Sequence, residues 1–206
     1  MILAVDTSLG TAIAIVDADG RRRADASSPD PLGHAEVIGS LLQRALTDAG
    51  DEITHAVAGM GPGPFTGLRI GIATARAFAL GRRISVIAVP SHFGAALSVL
   101  EENPDVGTFS IVTDARRREV AISVFRGLDA DGIPHLTSDT VLVPRTGAEA
   151  YLDGLDVREV STLDAAALAR VGIRAAHAGR ELAGAEPLYL RQPDVTVPGA
   201  PKRVGL

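Results

Sequence analysis

Cysteine is absent from this 206-residue chain, and so is tryptophan. Without a thiol there is no disulfide framework, no thiolate nucleophile and no thiolate metal site. Aromatic residues make up only 3% of the sequence, so the interior has to be built from Ala, Val, Leu and Ile. A basic surplus is missing too. The net charge of −5 argues against a stand-alone nucleic-acid binder, though not against a subunit working beside a basic partner. No apolar run approaches the roughly 20 residues that cross a bilayer. Met1 leads straight into Ile2-Leu3-Ala4-Val5 with no basic leader or cleavage site. The expectation is a cytoplasmic protein with no membrane partner.

Several chemical motifs are lacking as well. There is no Gly-Lys-Ser/Thr ending of a Walker loop and no Gly-x-Ser-x-Gly elbow. No Gly-Gly dipeptide is present. The five histidines, His34, His55, His92, His135 and His177, include no pair at the i, i+4 spacing that presents two imidazoles on one helical face. His92 is read as a helix-start or surface residue.

What is present is punctuation and periodicity. Ile2–Val5 and Ala12–Val16 read as strands around the polar turn Asp6-Thr7-Ser8-Leu9-Gly10-Thr11, and Arg21–Ser27 as a third, more exposed strand. His34–Ala49 is the clearest helix, with apolar residues at 37/38, 41/42, 45/46 and 49, stopped by Gly50. A strand is expected near Thr54–Ala58, then Gly61-Pro62-Gly63-Pro64-Phe65-Thr66-Gly67-Leu68-Arg69-Ile70-Gly71, a turn leading into a helix over Thr66–Leu80 with Thr66 as N-cap. Such a strand–turn–helix marks either a phosphate cradle or a tight packing corner. Further strands are expected at Ser85–Val89, Phe109–Thr113 and Glu119–Phe125, with helices at Ser91–Leu100, near Gly147–Leu152 and at Ala165–Ala178 around a small strand. Pro193 to Leu206 reads as a tail.

One correspondence spans the halves of the chain. Leu3-Ala4-Val5-Asp6 before Ala12–Val16 echoes Ile111-Val112-Thr113-Asp114 before Val120–Val124, with an Asp ending the first strand in both. Self-similarity at that separation suggests two related lobes. Asp6, Thr7 and Ser8 are candidates for a phosphate loop, the alternative being a capped hairpin bonded to its own backbone. At the second loop, Ala115-Arg116-Arg117-Arg118 replaces the glycines that would let a backbone approach a nucleotide.

The remaining candidate surface is helical. Gly67 and Gly71 lie four apart, with Thr74, Ala75 and Phe78 continuing their face. Each glycine costs the helix about 1 kcal/mol relative to Ala, which suggests close helix–helix approach as the return. Arg69 and Arg76 form another stripe, solvated or paired with a partner carboxylate. On the first long helix, His34, Ile38, Leu41, Leu42 and Ala45 join the candidate partner face. The alternative is that both helices pack only on their own sheet.

Taken together, Ile2–Ser8, the Gly61–Gly71 string with Ile72-Ala73-Thr74-Ala75-Arg76, His34-Ala35-Glu36, Asp114–Val120 and Pro187-Leu188-Tyr189-Leu190-Arg191 resemble the TsaB (YeaZ) family of the bacterial tRNA threonylcarbamoyladenosine machinery. Ala121 departs from that pattern, where an aromatic residue often follows Glu-Val. The resemblance implies an actin-like (ribonuclease H-like) α/β fold of two duplicated lobes, about 1–103 with a returning C-terminal helix and 104–185, then a segment 186–206. It implies a non-catalytic subunit that binds the transferase TsaD and, in a larger complex, the ATPase TsaE, touching tRNA only indirectly and pairing with itself when alone. It implies no cofactor beyond weak adenine-nucleotide binding at Asp6–Ser8, and no metal. The competing classes are an active actin-like ATPase or small-molecule kinase and, further off, a metallopeptidase.

Overall fold

In the computed structural model, which describes residues 1–30, 32–49 and 52–191, alternation in the first two strands sets the layering. β1 (Ile2–Asp6) and β2 (Thr11–Val16) are buried on both faces. Leu3, Val5, Ile13 and Ile15 point into one core, and Ile2, Ala4, Ala12, Ala14 and Val16 into the other. Successive residues of a strand face opposite sides, so a sheet built on such strands must be covered twice. β3 (Arg22–Ser28), β4 (His55–Gly59) and β5 (Ser85–Val89) complete a sheet ordered β3-β2-β1-β4-β5. The β1–β2 and β2–β3 pairs are antiparallel; β1–β4 and β4–β5 are parallel.

The large aliphatics of one face lie under α1 (His34–Ala49) and α2 (Phe65–Arg82). The alanine-rich face lies under α5 (Ala165–His177), whose buried side is itself mostly alanine. Small residues on both sides let helix and sheet approach closely, and a Cβ on Gly172 of α5 would fall 2.5 Å from Val57 Cγ2 of β4. α5 starts on Asp164, whose carboxylate accepts from the Ala166 amide at 2.8 Å. α3 (Ser91–Glu102) packs on α5 and also reaches the second sheet.

That second sheet repeats the first in outline. β6 (Thr108–Asp114) and β7 (Glu119–Leu128) form an antiparallel hairpin, β10 (Asp156–Glu159) runs parallel beside β6, and β8 (Pro134–Leu136) and β9 (Val141–Pro144) flank β7. Asp6 pairs with Ala12 and Asp114 with Val120, each at the end of a first strand that has a parallel neighbour. The two aspartates therefore hold equivalent topological positions, and the architecture is the duplicated actin-like α/β fold. A short 3-10 turn (Arg145–Gly147) and α4 (Glu149–Leu152) close one face of the sheet. Phe93 of α3 meets Phe125 edge-on at 5.3 Å, and Phe109 stacks with Phe125 at 6.0 Å. One continuous core thus runs from the first sheet through α5 and α3 to the second.

The structure corrects several expectations. α2 begins at Phe65 with Pro64 as its N-cap and no side-chain cap, so Thr66 lies inside the first turn. The proline fixes the extended backbone that a cap needs, at φ −62 and ψ 136. β8 and β9, not expected from the sequence, are three and four residues long, too short for alternation to register. Gly50 and the segment Pro193 to Leu206 lie outside the described residues. No described helix is long and apolar enough to cross a membrane.

Candidate functional site

The loop after β1 is sealed by its own chain. Asp6, Thr7 and Ser8 are each no more than 3% exposed. The Ser8 amide donates to Asp6 Oδ1 at 2.8 Å, and Ser91 Oγ donates to Asp6 Oδ2 at 2.5 Å. Ser91 Oγ in turn accepts from Ser8 Oγ at 2.7 Å and from the Gly61 amide at 3.0 Å. Burial pushes the Asp6 carboxyl above its ordinary value, against the pull of the Ser91 and Ser8 hydrogen bonds. Of the two readings open for this turn, the geometry is that of a capped hairpin. Both carboxylate oxygens are used internally, and Gly63 lies so close that a Cβ there would sit 2.8 Å from Ser8 Cα. The side chains of Asp6, Thr7 and Ser8 are thus all hydrogen-bonded within the chain.

The same loop explains the two helical glycines. Thr7 Oγ1 donates to the Gly67 carbonyl at 2.7 Å, and a Cβ on Gly71 would run into that threonine's side chain. A Cβ on Gly67 would stand 2.8 Å from His34 Nε2. The pair lets α2 settle on the Asp6–Ser8 turn and on α1, and the close approach is within the molecule. Gly67, Gly71 and Ala75 are buried against their own core, as are His34, Ile38, Leu41 and Ala45 of α1. These seven are not an open partner face, because the sheet's large aliphatics need them as cover. Leu42, Thr74 and Phe78 are half-buried and Arg69 is exposed.

Arg69 and Arg76 have partners in the chain itself. Arg69 Nε donates to Tyr189 Oη at 2.8 Å, with its guanidinium 5.7 Å from that ring's centre, and Arg76 donates to the Ala185 carbonyl. They hold a strap of residues 182–191 that crosses α2. Its Leu188 amide donates to the Met60 carbonyl at 2.7 Å, its Tyr189 ring lies 4.5 Å from Phe65, and its Arg191 pairs with Glu119 on the second sheet.

His92 is 1% exposed and so not a surface residue. Its Nδ1 lies 2.7 Å from Ser123 Oγ and its Nε2 3.0 Å from Thr113 Oγ1, and Ser123 continues to Thr140 at 2.8 Å. Burial lowers the imidazole to about 3, so it is neutral and ties α3 to β6 and β7. Among the described residues no three His, Cys, Asp or Glu side chains gather in a group able to hold a metal.

A cavity of about 480 Å³ opens between the halves. Its first-sheet wall is the β4–α2 loop with His34. Its second-sheet wall is the β6–β7 turn with Leu142, and Tyr189 to Arg191 of the strap close one side. In that turn Arg116, Arg117 and Arg118 stand at φ 62, 52 and 63. Left-handed backbone costs a non-glycine residue roughly 1–2 kcal/mol.

A family model described as TsaD, tRNA N6-adenosine threonylcarbamoyltransferase, matches residues 32–133. The chain is 34% identical over 157 residues to the uncharacterised protein ML0378 of Mycobacterium leprae, covering 71% of this chain and 41% of that one. It is 34% identical over 137 residues to the tRNA threonylcarbamoyladenosine biosynthesis protein TsaB of Escherichia coli, covering 65% of this chain and 58% of that one. These alignments span about half the length of the two relatives. A Pseudomonas aeruginosa crystal structure described as similar to peptidase YeaZ superposes with a TM-score of 0.76 at 23% identity, over 92% of this chain and 99% of that one.

Proposed function

This chain belongs to the TsaB (YeaZ) family, and on that footing we propose that it serves the biosynthesis of threonylcarbamoyladenosine in tRNA as a non-catalytic subunit that docks the transferase TsaD. The observation that supports the non-catalytic part is the sealed Asp6–Ser8 loop. An actin-like ATPase or kinase needs that loop open to phosphate and cation; here Ser91, Ser8 and the Gly61–Gly67 segment occupy the space. TsaE joins through TsaD in this reading, and tRNA is met through the complex. Weak adenine-nucleotide binding at Asp6–Ser8 has no support in that geometry.

The docking face is narrower than the sequence suggested. It is the half-buried row Ile70, Thr74 and Phe78 of α2 with Leu42 and Leu46 of α1. Apolar side chains left half covered on two adjacent helices suit burial against another helical layer. Without TsaD, a second copy of the chain covers the same face.

Two neighbouring substitutions test this. Thr74→Arg places a charge on the outer row and is expected to abolish co-elution with TsaD in size-exclusion chromatography while changing stability by less than about 0.5 kcal/mol. Ala75→Arg, one residue on, forces an unpaired guanidinium into the chain's own core and is expected to cost more than about 3 kcal/mol. Normal TsaD binding by a folded Thr74→Arg protein overturns the docking face.

A further inference from the structure

Two turns of this chain share a sequence and a geometry. Asp17-Ala18-Asp19-Gly20 follows β2, and Asp129-Ala130-Asp131-Gly132 follows β7. In the first, Asp17 Oδ1 accepts from the Asp19 and Arg21 amides at 3.0 and 2.9 Å. In the second, Asp129 Oδ1 accepts from the Asp131 and Ile133 amides at 3.0 and 2.9 Å. Gly20 and Gly132 both stand at positive φ, 79 and 72. The two turns lie at the ends of β2 and β7 away from Asp6 and Asp114.

A single helix grips both. Arg170 of α5 lays its stem against the first turn, where a Cβ on Gly20 would lie 3.1 Å from its Cγ and Cδ. Arg174, about one helical turn on, donates to the Gly132 carbonyl of the second turn at 2.5 Å. Arg180 follows, donating to Asp129 at 2.5 Å and to Asp131 at 2.8 Å. Glu101, in the last turn of α3, accepts from Arg170 at 2.7 and 2.9 Å and stands 4.0 Å from Arg174. The first turn of α3 is fixed as well. Ser91 bonds Asp6 of the first sheet, and beside it His92 lies at hydrogen-bond distance from Thr113 and Ser123 of the second.

We propose that these contacts form an angle clasp. Ser91 and His92 provide a pivot at one end of α3, and Glu101 with Arg170, Arg174 and Arg180 closes the other, so the two sheets keep one mutual orientation. Apolar contacts are non-directional, so the shared core holds the sheets together without choosing between nearby angles. A bidentate carboxylate–guanidinium pair is directional and does choose. One attachment leaves an axis to turn about; a second at the far end of the helix takes it away. The fixed angle keeps α1 and α2 on the first sheet in register with the arginine turn on the second.

The chain has no cysteine, so labels placed by substitution are the only ones it carries. Ala18→Cys with Ala130→Cys puts one nitroxide on each turn, at two exposed alanines. Pulsed electron resonance on the full chain, diluted with unlabelled protein so that distances within one molecule are read, is expected to give a single narrow distance. Adding Glu101→Ala or Arg174→Leu is expected to shift that distance or split it in two while the cooperative thermal melt is kept. Arg21→Ala removes an ion pair within the first turn alone and is expected to leave the distance where it was. A broad or split distance in the labelled chain before these substitutions overturns the proposal, and so does a narrow, unmoved one in both variants. An Arg21→Ala effect as large as that of Glu101→Ala overturns it too. The measurement uses no partner, so its failure leaves the TsaD-docking reading as it stands.

Discussion

Burial depresses His92 to about 3, against 6.5 for an ordinary imidazole, and the sign of the consequence is fixed. Below pH 6.5 the unfolded chain takes up a proton that the folded chain refuses. Stability is therefore lost as pH falls toward 3, at up to about 1.4 kcal/mol per pH unit from this residue. Asp6 acts in the opposite sense: its raised carboxyl lets the folded state hold a proton that the unfolded state has released, so its contribution falls as pH rises above 3.8. Urea denaturation of wild type and His92→Gln at pH 7, 6 and 5 is expected to show the acid loss in wild type and a flatter profile in the variant. Parallel profiles refute the assignment. The sequence displayed His92 only as a lone imidazole at a helix start. Its partners, Thr113 and Ser123, stand on β6 and β7, and nothing local announces that they converge.

At the scale of elements, legibility followed length and periodicity. The α1 range His34–Ala49 could be read outright, and the hairpins at Asp6 and Asp114 were visible as an echo. Which side of a helix faces inward is a different matter. Spacing showed that Gly67 and Gly71 share a face, but whether that face meets a partner or Thr7 depends on where a loop sixty residues earlier comes to rest. The arginine turn carries its own forecast. Arg117 stands at φ 52, a conformation glycine adopts freely, so Arg117→Gly is expected to raise stability by about 1 kcal/mol. Chemical denaturation of the variant beside wild type reads the effect. A variant less stable than wild type removes the strain argument.

For the whole molecule the decisive feature is that the second sheet is inserted between α3 and α5 of the first. Phe93, Phe125 and Leu168 belong to one core, so the two sheets do not have separate interiors. Charged pairs reinforce the return of α5: Arg170 reaches Glu101 at 2.7 Å and Arg22 reaches Asp164 at 2.8 Å. A fragment comprising residues 1–103 retains every strand of the first sheet yet lacks the helix that covers Ala4, Ala14 and Val57. It is expected to lack a cooperative thermal transition and to be cleaved rapidly by protease, whereas the full chain resists. A stable, protease-resistant fragment means that the first lobe needs no help.

The placement of α5 also bears on synthesis. A ribosome delivers the first sheet early and its last covering helix after residue 164, so the alanine-rich face waits, wet and unprotected, through translation of everything between. The usual vectorial order, in which an N-terminal unit finishes before the next begins, does not apply here. The later lobe is made in the interval and has its own hairpin to close. The nascent first sheet, with its edges and one apolar face bare, is the stage at which chaperone capture and misassembly compete with folding. Its exposure ends only when the returning helix has left the exit tunnel.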